Sequence, residues 1–174
     1  RWLCNPDTGW ISSMVPRLLD DPAGIPGLRF DPAHPFMRRY TRQVECFERA
    51  ARGRYGVCSL VVCSGLHFLY ELVGATESYR LCLEEPDLAR EGIALGQAVC
   101  AAVQDAFFAR VPLLAGGTVS LNFGWIPGRV VMESVDAFHM ARVDFFEAWG
   151  RPNLEHMLAR YDGGELHIHG NGRH

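Results

Sequence analysis

Apolar positions recur along the chain with two different periods, and the changes of period mark its elements. From Pro35 onward, Phe36, Tyr40, Val44, Phe47 and Ala51 fall at helical spacing, which predicts an amphipathic helix over 35–52, stopped by Gly53. The run Val57-Cys58-Ser59-Leu60-Val61-Val62-Cys63 then has the short, apolar, β-branched character of a strand buried on both faces. Ser64-Gly65 ends it, and Leu66 to Val73 read as a short helix closed by Gly74. Pro86 opens a long helix, at a first-turn position where no NH is needed. Its expected core stripe is Leu88, Gly92, Leu95, Val99, Ala102 and Ala106. Residues 116–128, with their glycines and Trp125-Ile126-Pro127, read as loop. Arg129 to Ser134 is a second buried strand. Arg142 to Tyr161 is helical, with Asp144 favouring the helix dipole near its start and Pro152 expected to kink or divide it. A turn at Asp162-Gly163-Gly164 leads to a third strand, Glu165 to His169.

Strands that alternate with helices imply parallel βαβ units with right-handed crossovers. A (β/α)8 barrel usually takes roughly 250 residues, whereas this chain has 174. The expected fold is therefore α/β, a fragment of a (β/α)8 TIM barrel with about half of the barrel present. The absence of an initiator Met, and of a helix to cover the last strand, leads to the expectation of one incomplete domain over 1–174. Residues 1–54 would form an N-terminal loop and helix, and 55–174 a βαβαβ portion. Open strand edges in such a fragment invite self-association.

Composition narrows the function classes. Hydrophobic residues make up 48% of the chain and charged residues 21%, which suits a packed domain and argues against wholesale disorder. With a net charge of −3 and no basic block, nothing favours a nucleic acid or an anionic membrane surface. No apolar stretch approaches the roughly 20 residues that span a bilayer. The residues from Arg1 to Pro6 lack the apolar run of a signal peptide. The six cysteines form no CxxC pair and mostly sit in apolar stretches, so they read as buried thiols in a reducing compartment, the cytoplasm.

In parallel α/β folds, reactive groups gather at the carboxyl ends of strands. His167 and His169 are two apart on the third strand, so both imidazoles share a face while Leu166 and Ile168 take the other. Together with Glu133 at the end of the second strand, they form a possible two-histidine, one-carboxylate set for zinc. The same three residues are the catalytic candidates; the alternative is a polar histidine pair that orders a loop or binds substrate without metal. Glu133 is followed by Ser134 and Asp136, and in the alternative reading it caps a loop NH or pairs with Arg129 or Arg142. His67, Arg129 and Asn171 are substrate-binding candidates. His67 follows the first strand, Arg129 offers a cation, and Asn171 lies in a glycine-rich tail whose NH groups can approach an anion.

Four segments resemble the uroporphyrinogen decarboxylase family, from about Tyr55 to the end. Cys63 to Gly74 is similar to that family's strand-to-helix segment, and Leu83-Glu84-Glu85-Pro86-Asp87-Leu88 to its Pro-Glu helix start. Glu133 to Leu158 resembles its strand-end acid, loop and Pro-containing helix, and Glu165 to Gly172 its His-x-Cys-Gly strand. The resemblance implies a (β/α)8 barrel. It also implies either the cofactor-free decarboxylase of tetrapyrrole synthesis or a methyltransferase that works with a corrinoid protein or a thiol acceptor, often with zinc. Partners would then be a small tetrapyrrole or a methyl donor and acceptor. Two departures matter. The family tyrosine after the first segment would fall near Leu72 rather than at Tyr70, which counts against decarboxylation. His167 matches the family histidine, but His169 stands where the zinc methyltransferases place Cys. The leading expectation is the methyl-transfer branch, ahead of the decarboxylase and of a catalytically inert truncated barrel.

Overall fold

A computed structural model describes residues 3–4, 13–14 and 17–168. Strands β1 (Leu3–Cys4) and β2 (Ser13–Met14) pair antiparallel. A 3-10 helix over Pro22–Gly27 precedes α1 (Pro35–Ala51), which begins at a proline and is N-capped by His34. Then come β3 (Val61–Val62), α2 (Gly65–Val73), α3 (Ala75–Glu84) and the long α4 (Pro86–Phe108). The hairpin β4 (Gly117–Ser120) and β5 (Gly124–Pro127) leads into β6 (Val130–Ser134). A 3-10 turn over Asp136–Phe138, α5 (Val143–Trp149), α6 (Arg151–Leu158) and β7 (Gly163–His167) complete the order.

The central sheet has three strands in the order β3-β6-β7, all parallel. This is the βαβ arrangement that the alternating pattern predicts. Among the described residues the strands do not close into a barrel, and β3 and β7 each have one sheet neighbour. The chain is thus mixed α/β with small sheets. Its first and third sheet strands differ from expectation. β3 is reduced to Val61–Val62, with Cys58 held only by an isolated bridge to Val119, and β7 begins at Gly163. Residues 116–128, expected to be loop, form the hairpin instead. Thr118 ties it to the sheet: its hydroxyl accepts from the Val130 NH and donates to the Gly128 carbonyl.

The register of β6 and β7 assigns the two sheet faces. Met132 pairs with Glu165 and Ser134 with His167, while Val131 pairs with Gly164 and Glu133 with Leu166. Paired residues of neighbouring strands share a face. The Glu133 face is the helix side: a Cβ on Gly164 would meet Leu158 of α6, and Val62 packs with Cys100 of α4 and Met157 of α6. The opposite face receives the hairpin, because Glu165 accepts from the Ser120 hydroxyl and the Asn122 amide.

A second core lies between α2, α3 and α4, built on Leu66, Leu69, Leu72, Leu81, Ala89 and Ile93. Here the α4 stripe is turned by one residue from its expected position, onto Ala89, Gly92, Ile93, Gly96 and Cys100. Close approach explains the turn: a Cβ on Gly92 would come within 2.4 Å of Leu69, and one on Gly96 within 2.6 Å of Phe68. The two glycines admit α2 rather than merely interrupting a stripe. On α1, Val44 and Ala51 are buried as expected, but Phe36 and Phe47 are exposed. The expected helix over 142–161 is divided at Gly150, and Pro152 starts α6 at a position that needs no NH.

Candidate functional site

The carboxyl ends of β3, β6 and β7 lie together at one end of the sheet. On the helix side, Glu133 is fully buried. Its Oε2 accepts from the Ser64 hydroxyl at 2.8 Å and the Ser64 NH at 3.3 Å. Asn153 of α6 donates to the Ser64 hydroxyl at 2.8 Å, and Gln97 of α4 donates to Asn153 at 3.1 Å. A buried chain of polar groups thus joins α4, α6, the end of β3 and β6. Its geometry depends on Gly65, which has φ +63 and no room for a Cβ, since one would sit 2.7 Å from the Asn153 amide nitrogen. Burial pushes the Glu133 carboxyl up to about 7, against the downward pull of both Ser64 bonds. Its Oε1 has no hydrogen-bond partner among the described residues.

The other face carries a separate cluster. His167 Nδ1 lies 3.1 Å from Asp136 Oδ2, and the Ser134 hydroxyl donates to the same oxygen at 3.1 Å. Asp136 stands at the start of a turn whose Ala137 carbonyl accepts from Tyr70 of α2, at 3.0 Å, and from Tyr79 of α3. His67, in the first turn of α2, completes the surroundings. Burial lowers its basicity; the carboxylates of Glu71 and Asp136 oppose that shift and the His167 imidazole adds to it. Its Nδ1 is buried without a partner among the described residues. Cys63 is pushed up to about 11, first by burial and then by Glu133, Glu71 and Asp136, so its thiol stays protonated near neutrality.

Comparison of the chain with known protein families, with characterised proteins and with solved structures finds no match. The chemistry therefore has to be argued from the residues themselves.

The structure brings His167 and His67 to the same end of the sheet, as expected from their places in the chain. Glu133 and His167 it does not bring together, because they project from opposite faces. Among the described residues no three His, Cys, Asp or Glu side chains converge as a metal site. His169 and Asn171 lie outside the described residues. Arg129 is displaced from the cluster: it precedes β6, at the amino end of the sheet. There its NH and carbonyl bond to Asp162, and its guanidinium lies 4.0 Å from that carboxylate. The residue that sequence reasoning passed over as merely adjacent is Asp136. Its signal was the polar Glu133-Ser134-Val135-Asp136 run at the end of an apolar strand, where a turn can carry a carboxylate back over the sheet end. The described part of the chain contains no helix long and apolar enough to cross a membrane.

Proposed function

We propose that this chain forms part of a (β/α)8 barrel enzyme of the uroporphyrinogen decarboxylase type, of its methyl-transfer branch. The observation that carries the reading is the Asp136–His167 pair at the carboxyl end of a parallel strand, on the face opposite α4 and α6. In barrels of this kind that face lines the interior, and the carboxyl end is the mouth where substrate enters.

The pair supplies what methyl transfer to a thiol requires. Nε2 of a neutral His167 takes the thiol proton, and the thiolate attacks the methyl carbon of the donor. The new C–S bond forms as the donor leaves with the electron pair of its bond to the methyl group. For a corrinoid donor that bond is Co–CH3, and the corrinoid departs two electrons reduced. Where zinc is used instead of a base, His167 with His169 would hold it rather than Glu133, and the metal would lower the pKa of the thiol so that its proton passes to solvent. Glu133 supports the strand ends from the helix side. The decarboxylase reading is disfavoured by the position of Arg129, because several substrate carboxylates need cations at the mouth.

The test is to incubate the protein with methylcobalamin and 2-mercaptoethanol under anaerobic conditions and follow the corrinoid spectrum, with uroporphyrinogen turnover in parallel. Thiol-dependent demethylation that falls by about 100-fold or more in His167→Ala is expected. Uroporphyrinogen consumption without demethylation would overturn the methyl-transfer reading in favour of decarboxylation. Neither activity would overturn both.

A further inference from the structure

The turn after β6 is built more firmly than a loop needs. Its Ala137 carbonyl is held by tyrosines from two different helices, and its Asp136 carboxylate by the hydroxyl of Ser134. Two groups meet at one atom of that turn, Asp136 Oδ2: the Ser134 hydroxyl and His167 Nδ1, each at 3.1 Å. A carboxylate only accepts hydrogen bonds, so the nitrogen facing it must carry the proton. In a neutral imidazole the other nitrogen is then the one with the lone pair.

We propose that Asp136 is a positioning residue that locks His167 as its Nδ1–H tautomer and makes Nε2 the working nitrogen of the site. Ser134 and the two tyrosines set the carboxylate, the carboxylate sets the ring, and the ring presents its lone pair away from the turn. What Nε2 then does to a thiol or a metal rests on the function proposed above; the tautomer itself does not. The same device explains why the turn must be rigid: a carboxylate free to rotate would allow both tautomers and several ring orientations. Partners of this kind typically contribute 10- to 100-fold to activity or metal affinity, roughly, where a histidine does the chemistry.

The experiment records long-range 1H–15N correlations of the imidazoles in the uniformly 15N-labelled 174-residue chain, at a pH where an ordinary imidazole is neutral. His167 should show the Nδ1–H form in about 10-fold excess, the preference an ordinary charge-assisted hydrogen bond gives. Asp136→Ala should abolish that excess, and Ser134→Ala should weaken it while keeping its direction. An excess of Nε2–H in the wild-type chain overturns the proposal without any variant, so a failure of Asp136→Ala to fold leaves it decidable. An unchanged excess in folded Asp136→Ala also overturns it. Methyl transfer by Asp136→Ala should fall by about 10- to 100-fold; full activity with the excess lost would remove the role in turnover. A wild-type protein that is inactive in methyl transfer but shows the Nδ1–H form rejects the proposed function and leaves the positioning of His167 standing.

Discussion

Glu133 gives the sharpest test of the energetics, because its carboxyl is buried with one oxygen bonded and the other without a partner among the described residues. The perturbation is Glu133→Gln, which keeps the shape and an acceptor for Ser64 but cannot ionise. In the fold the carboxyl is held up to about 7, against an ordinary value of 4.5 in the unfolded chain. A raised carboxyl is stabilised by the fold in its protonated form. Its contribution is therefore fully present below the unfolded value and is lost as pH rises through the folded one. At about 1.4 kcal/mol for each tenfold change in proton affinity, the interval amounts to a loss of about 3 kcal/mol, most of it between pH 5 and 8. The assay is urea denaturation of wild type and Glu133→Gln at several pH values across that range. Other groups that titrate there, His67 among them, contribute to both proteins and cancel in the difference. Near pH 5 the two should have similar stability. By pH 8 the Gln variant should be the more stable by about 2–3 kcal/mol. Stability curves that fall in parallel would show that Glu133 is hydrated or paired in solution, and the account of the buried chain would be wrong.

His167→Ala should lose activity at the sheet end yet melt within about 1 kcal/mol of wild type, because the half-buried ring is not part of a core; calorimetry beside the turnover assay checks both. Gly65→Ala should cost about 2 kcal/mol or more in urea, since φ +63 disfavours any Cβ and this one would strike Asn153. Near-neutral stability there would refute the close approach. Glu165→Ala should release the hairpin by removing the acceptor for Ser120 and Asn122, at about 1–3 kcal/mol. Amide hydrogen exchange should then speed up over 117–127 while β6 stays protected. Finally, the strands β3 and β7 have open edges among the described residues, so the chain should self-associate in a concentration-dependent way on sedimentation. A sharply melting, monodisperse monomer would show a self-sufficient domain.

The parts of the fold legible in the sequence are those set by local pattern. The apolar β-branched runs before Ser64 and Ser134 place two strands, Pro86 marks a helix start, Pro152 signals the division of the helix expected over 142–161, and the βαβ order yields parallel pairing. Parity along β7 also separates His167 from Leu166 correctly, as alternation requires. What could not be read locally was register. Glu133 and His167 each end a strand, and only the pairing of Ser134 with His167 reveals that the glutamate faces the other way. The hairpin over 117–127 was hidden by its glycines, which read as loop punctuation but serve the turn: Gly124 has φ +77, and Gly117 leaves no space for a Cβ beside Trp125. The turn of the α4 stripe is of the same kind. An apolar-periodicity argument ranks glycine as a gap, whereas close helix packing turns Gly92 and Gly96 into the contact itself.

The division of the two acids between the sheet faces has a consequence for the chemistry. A catalytic carboxyl must exchange protons with substrate or solvent, and Glu133 is sealed under α4 and α6 with its bonded oxygen committed to Ser64. Its raised proton affinity is of the sort found at active sites, but desolvation alone produces it, and desolvation here comes from helix packing rather than from a cleft. Asp136 presents the opposite case. It is partly exposed, it bonds the His167 imidazole at the end of β7 on the open face, and its turn is held by two helices. Accessibility and geometry thus outweigh the larger perturbation. The buried chain from Gln97 to Glu133 fixes where β3 and β6 end, and the rigid turn fixes where the imidazole of β7 points. The carboxylate under the helices and the one on the open face are then only three residues apart in the chain, which is why positions on β6 and in its turn should respond so differently to substitution.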